Sequence, residues 1–301
     1  MKIAIFNGLP MHFECMGFYI YYCREKGIDY TVFMLPKHYH NWASFYREYL
    51  DPNIKIVYPH MDEDEIITYD KVILVTDNDI YFHSKFDLYQ GLICIDHEIR
   101  NRRPNVKIHI SMRPIQIDTS SIDKKYVYNL IPYLSLQNKQ LILKNETSLN
   151  LGIIGGGKRN DFNLIKNLKV DWNNTTLYYI TREISQDEHE RLSTIVPNYC
   201  GVQNCDSILM CNILSVCHYI LFTNNEATFA TERASSSVCM CFSNLCRPVM
   251  LRDYNKVYKF LSPLYFEDSP FLDKEIDLNL VYQDQNNMIE HNIKTLDGLI
   301  K

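Results

Sequence analysis

Residues 151–161 read Leu-Gly-Ile-Ile-Gly-Gly-Gly-Lys-Arg-Asn-Asp, three consecutive glycines followed at once by two cations. The chain holds only 10 glycines in 301 residues, so a run of three calls for a cause. Glycine admits positive φ and lets another group approach the backbone N–H donors. The apolar stretch before the run and the Asn160-Asp161 pair after it predict a turn from a strand into a capped helix. The first N–H groups of a helix carry a partial positive charge and attract anions. With Lys158 and Arg159 adding full charges, Gly155, Gly156, Gly157, Lys158 and Arg159 are expected to bind a phosphate or diphosphate. The spacing is neither a Walker A loop nor the dinucleotide fingerprint. A tight turn that needs glycine for its own packing is the competing reading.

A second stretch, Asn224–Ser237, places Glu226 and Glu232 around Thr228 and Thr231, just beyond the apolar run Tyr219–Thr223. Carboxylates there could accept hydrogen bonds from ribose or sugar hydroxyls, while threonine hydroxyls donate to a phosphate. A solvated helix start with acids suited to the dipole is the plainer alternative. In the first half, His12 follows the apolar run Lys2–Asn7, and His97 and Glu98 follow Gly91–Asp96. A histidine at a strand end can take a proton from a hydroxyl, and Asp96 could orient one. Asp77 and Asp79 form an Asp-x-Asp pair after another apolar run, an arrangement that can hold a divalent ion or merely form a turn.

The elements that would position these groups alternate. Apolar runs of strand length at Lys2–Asn7, Asp29–Leu35, Lys71–Asp77, Gly91–His97 and Val106–Met112 are separated by helical or loop segments such as Phe13–Gly27. After Pro114 the rhythm loosens, and it restarts at Leu149 with a strand, then a helix over Asn160–Leu168. Strand Thr176–Thr181, a capping box at Ser185 and Glu188, and a helix capped by Asp206 follow. This predicts an α/β chain of two Rossmann-like, doubly wound domains, residues 1–135 and 136–301, facing each other across a cleft. Ligands of such sheets bind outside the carboxyl ends of the strands.

Composition narrows the partners. With 46% hydrophobic and 22% charged residues the chain is globular, and a net charge of −5 gives no general attraction to nucleic acid. No apolar run reaches membrane-spanning length, and the start does not read as a secretory signal, so the expected location is cytoplasmic. Seven of the ten cysteines fall between Cys200 and Cys246 without a Cys-x-x-Cys pair. They are expected to be free and to pack as small hydrophobes, not to ligate zinc. Nothing in the sequence specifies an oligomeric state.

Two Rossmann-like halves, a glycine-and-cation loop after the first strand of the second half, and a Glu-Arg-Ala-Ser helix ahead of Cys246-Arg247-Pro248-Val249-Met250 resemble the GT-B-fold glycosyltransferases. The chain departs from that pattern in having Glu226 and Glu232 six residues apart instead of eight, and Arg247 where glycine is usual. The resemblance implies a C-terminal half that holds a nucleotide-sugar donor. Gly156, Gly157, Lys158 and Arg159 would then face the diphosphate, and Glu226 or Glu232 the ribose or sugar. It also implies His12 as base, with His97 second. The expected activity is glycosyl transfer to a carbohydrate or other hydroxyl acceptor in glycan synthesis, with no metal and no cofactor beyond the donor. Three alternatives stay open: a nucleotide-sugar epimerase of the same fold, a metal-dependent GT-A-type transferase using Asp77 and Asp79, and a non-catalytic sugar-nucleotide-binding protein.

Overall fold

Short apolar runs become parallel strands in both halves of the chain. The computed structural model describes residues 1–7, 12–34, 41–57, 63–76, 89–96, 106, 108–112, 126–130, 144, 147–156, 159–224 and 235–300. The first half contains β1 (Lys2–Asn7), α1 (Gly17–Glu25), β2 (Asp29–Met34), α2 (Trp42–Tyr49), β3 (Ile56–Val57), α3 (Glu63–Ile66), β4 (Lys71–Leu74), β5 (Leu92–Asp96), β6 (Ile108–Ser111) and β7 (Tyr126–Asn129). Its strands form one seven-stranded sheet in the order β3-β2-β1-β4-β5-β6-β7, every pair parallel.

The second half contains β8 (Leu149–Ile154), β9 (Thr175–Thr181), α4 (Gln186–Ile195), β10 (Tyr199–Gln203), α5 (Ser207–Val216) and β11 (Tyr219–Leu221). It continues with α6 (Ser236–Ser243), β12 (Arg247–Met250), α7 (Arg252–Tyr258), β13 (Leu264–Tyr265) and α8 (Leu278–Ile300). Its six-stranded sheet has the order β10-β9-β8-β11-β12-β13, again all parallel. In each sheet the first strand lies inside, and the chain winds outward to one edge before crossing to the other side. A crevice therefore opens outside the carboxyl ends of β1 and β4 in one half and of β8 and β11 in the other. The two doubly wound halves expected from the sequence are present.

Burial explains which strands the sequence announces. All five residues of β5 and the first five of β8 are buried, as suits strands covered on both faces. β10 is an edge strand with Cys200, Gly201 and Gln203 exposed, so it carries no apolar run, and it and β7 were not among the expected strands. Local capping is as read. Ser185 and Glu188 form the capping box of α4, and Asp206 caps α5 by accepting from the Leu209 amide at 2.8 Å. One helix is a correction. The expected helix over Asn160–Leu168 is only a six-residue 3₁₀ turn, Phe162–Asn167, capped by Asp161. Phe162, Ile165 and Leu168 are all buried, and their spacing of three fits three residues per turn better than 3.6.

The expected boundary at residues 135–136 lies outside the described residues. The two halves share one core. α8 contributes Val281, Met288, Leu296 and Ile300 to the cluster that includes Tyr19 and Tyr22 of α1 and Val238 and Phe242 of α6. Tyr22 donates to Asp297 at 3.0 Å, and Lys26 meets the same carboxylate at 2.9 Å. The cysteines are free, and eight of the ten are buried. Burial pushes the Cys217 and Cys241 thiols well above their ordinary value, so they pack as uncharged hydrophobes. Among the described residues no helix is long and apolar enough to cross a membrane.

Candidate functional site

The glycine run begins where β8 ends. Gly155 has φ +95°, a conformation that a side chain resists, and its N–H donates to the Ile180 carbonyl at 2.9 Å. A methyl group on Gly156 would stand 1.9 Å from Thr181 Oγ1, so glycine there lets β9 come close. The protein itself thus has a use for both glycines. Their other side is open, since Gly155 is exposed and Gly156 only half-buried. Gly157 and Lys158 lie outside the described residues, and Arg159 is exposed just beyond them.

Asn160 ties this loop to the opposite side of the crevice. Its Nδ2 donates to the Gly155 carbonyl at 3.1 Å, and its Oδ1 accepts from the Thr223 hydroxyl at 3.0 Å. The Asp161 amide donates to the Thr223 carbonyl at 2.8 Å, and Asn160 and Asn224 form an isolated antiparallel bridge. The two stretches singled out in the sequence, 151–161 and 224–237, therefore meet at the switch point between β8 and β11. Glu226, Thr228, Thr231 and Glu232 fall outside the described residues. The 3₁₀ turn after the loop is too short to supply the helix dipole expected there, which leaves open amides and side-chain cations as the source of anion attraction.

In the first half, His12 opens the 3₁₀ turn Phe13–Met16 in a left-handed conformation, φ 63°. Such backbone strain in a non-glycine residue persists only where the surroundings enforce it. Tyr46, buried in α2, donates its hydroxyl to the Phe13 carbonyl and helps to hold the turn. His12 Nδ1 lies 3.5 Å from Glu14 Oε1, with the imidazole 32% and the carboxylate 13% exposed. Burial raises the Glu14 carboxyl, but the neighbouring His12 and Ser236 side chains outweigh it and leave the group below the ordinary glutamate value. Ser236 is the first residue of α6, in the other half of the chain.

His12, Glu14 and Cys15 bring a nitrogen, an oxygen and a sulfur within 4.8 Å of one another, the only such group among the described residues. Burial, and then the Glu14 charge, push the Cys15 thiol well above its ordinary value. The carboxylate–imidazole pair is the chemically available part. Asp96 does orient a histidine: its Oδ2 is 2.9 Å from Nδ1 of His109 on the adjacent strand β6, both side chains buried. His97, Glu98, Asp77 and Asp79 lie outside the described residues. Sequence reading took Asn160 only as a candidate helix cap and gave Glu14, Ser236 and Thr223 no role in the site. Only Glu14 carried a local signal, an acid two residues after a candidate base.

Neither a protein-family profile nor a curated protein sequence matches the chain. Solved structures do. The Anabaena protein HepE, solved in complex with UDP and glucose, is 9% identical with a TM-score of 0.55, over 98% of this chain and 94% of that one. The DNA-modifying enzyme β-glucosyltransferase, solved with and without uridine diphosphoglucose, is 12% identical with a TM-score of 0.55, over the whole of both chains. The UDP-GlcNAc 2-epimerase of Neisseria meningitidis, bound to UDP-GlcNAc, is 14% identical with a TM-score of 0.50, over 97% and 93%. Two Rossmann-like halves of this kind define the GT-B fold, and this chain has it.

Proposed function

We propose that this chain is a glycosyltransferase that moves a sugar from a nucleotide-diphosphate donor to a hydroxyl acceptor in glycan synthesis, without a metal. The observation that carries the reading is the clamp made by Asn160, which holds the turn at Gly155 and Gly156 against Asn224, two residues before Glu226. In this reading the loop amides, Gly157, Lys158 and Arg159 take the diphosphate. Glu226 and Glu232 accept from donor hydroxyls, and Thr228 and Thr231 donate to phosphate. His12 removes the acceptor proton as the acceptor oxygen bonds to the anomeric carbon. The carbon–diphosphate bond breaks, and its electron pair leaves with the diphosphate, whose charge the cations offset.

A thermal-shift screen of nucleotides and nucleotide sugars, with and without manganese, tests the reading directly. Stabilisation by a nucleoside diphosphate without manganese is expected, as is its loss when Lys158 and Arg159 are both replaced by Ala. A shift that appears only with manganese would move the site to Asp77 and Asp79. His12→Ala should lower transfer by about 10²-fold or more while the diphosphate still binds. The epimerase among the structural neighbours supports a second reading, in which the donor sugar is isomerised. Product analysis without an acceptor separates the two.

A further inference from the structure

We infer that Tyr179 and Glu188 position the glycine loop for its anion, acting through Asn160. The inference rests on the reading of that loop as the diphosphate site. Both side chains are buried, Tyr179 in β9 and Glu188 in the first turn of α4, so they act on a ligand only through another group. The Tyr179 hydroxyl donates to Glu188 Oε1 at 2.7 Å. Glu188 Oε2 is held in turn by the amide and the hydroxyl of Ser185, at 2.9 and 2.8 Å. Asn160 Nδ2 donates to the Tyr179 hydroxyl at 3.4 Å and to the Gly155 carbonyl at 3.1 Å. Phe162 packs edge-on against the Tyr179 ring, with centroids 5.5 Å apart, and keeps the phenol in place.

Hydrogen-bond polarity gives this chain a direction. A phenol has one proton, and because it goes to the carboxylate, the oxygen can only accept from Asn160. The Asn160 side chain must then turn its amino group toward Tyr179 and Gly155. Its oxygen faces Thr223, whose hydroxyl donates to it at 3.0 Å. In a planar trans peptide the carbonyl and the following N–H point in opposite directions. Holding the Gly155 carbonyl toward Asn160 therefore turns the Gly156 N–H the other way. Gly155 sits at φ +95°, and the glycine backbone rotates readily, so a loosely held Asn160 would leave that amide without a set direction. An anion binds more tightly to a donor that is aimed beforehand. Glu188 sets that aim from α4, two hydrogen bonds before Asn160.

Calorimetry on the full chain, with UDP and inorganic pyrophosphate as probes, tests the inference. Tyr179→Phe keeps the packed ring and removes only the hydroxyl. It should weaken both probes by about 5- to 10-fold, the worth of one hydrogen bond. In transfer assays it should raise donor KM with little change in kcat. Asn160→Ala should weaken the probes at least as much, and adding Tyr179→Phe to it should cost little more, because the two residues act in series. Val196→Ala, which thins the core at the far end of α4, should lose stability without losing affinity. A Tyr179 that only braces the fold would lower the unfolding temperature and leave both affinities unchanged, and that result overturns the inference. Additive losses in the double variant, or a loss in Val196→Ala equal to that in Tyr179→Phe, would overturn it as well. Failure of the wild-type chain to bind either probe would instead sink the diphosphate reading, and the inference with it.

Discussion

At the scale of single residues, the contact between Gly156 and Thr181 shows how a binding loop and a packing constraint come to share one glycine. The Thr181 hydroxyl occupies the space that a methyl group on residue 156 would need, at 1.9 Å. Gly156→Ala should therefore destabilise the protein by about 1–3 kcal/mol through overpacking. Removal of the obstructing hydroxyl by Thr181→Ala in the same chain should recover part of that cost, because the Thr181 Cβ alone would be 3.0 Å away. Urea titration of the single and double variants checks this. A double variant no more stable than Gly156→Ala would show that the clash is not the cause. The glycine run was legible in the sequence, but its double use was not, since Thr181 lies 25 residues away and nothing local announces it.

Elements carry the next lesson. The cap at Ser185 could be read directly because its bonds span three residues: the Glu188 amide donates to Ser185 Oγ, and the Ser185 amide to Glu188 Oε2 at 2.9 Å. What the motif did not disclose is that Glu188 also accepts from the buried Tyr179 hydroxyl at 2.7 Å, which ties α4 to β9. Ser185→Ala should cost about 1 kcal/mol through the lost cap, whereas Glu188→Gln should cost more because Tyr179 and the helix start lose one shared partner. Equal losses in the two variants, measured by thermal and denaturant unfolding, would show that the Tyr179 bond adds nothing. The segment after the glycines teaches the reverse. Its apolar residues fit both a helix and a 3₁₀ turn over so short a run, and packing of Phe162 and Ile165 under the sheet decides for the turn.

For the whole molecule, the half-buried Glu14 makes the seam between the halves sensitive to acid. Its carboxyl group is held below the ordinary glutamate value in the folded protein, so the unfolded chain takes up that proton first as pH falls. The stability it contributes is complete above the unfolded value and drains away as pH falls through the lower, folded one. Glu14→Gln should therefore cost stability at neutral pH, and the gap to wild type should close on acidification. Unfolding curves at stepped pH values test this, and a gap independent of pH would mean that the charge contributes nothing. The C-terminal helix α8 spans the same seam, with Asp297 on α1 and Gln285 donating to the Phe242 carbonyl of α6 at 2.9 Å. A cut before Leu278 would expose both halves of the core at once.

From its amino acids alone the chain determines two doubly wound α/β halves and a glycine–cation loop after a strand. Those features rest on apolar runs and on hydrogen bonds that close within a few residues, and both are written locally. Edge strand β10, the 3₁₀ turn and the Asn160 clamp onto Thr223 were decided only in three dimensions. Each depends on partners tens to hundreds of residues apart, or on a face left exposed by what lies beside it. Side-chain identity states which bonds are possible, and only the packing of the two sheets selects the ones that form.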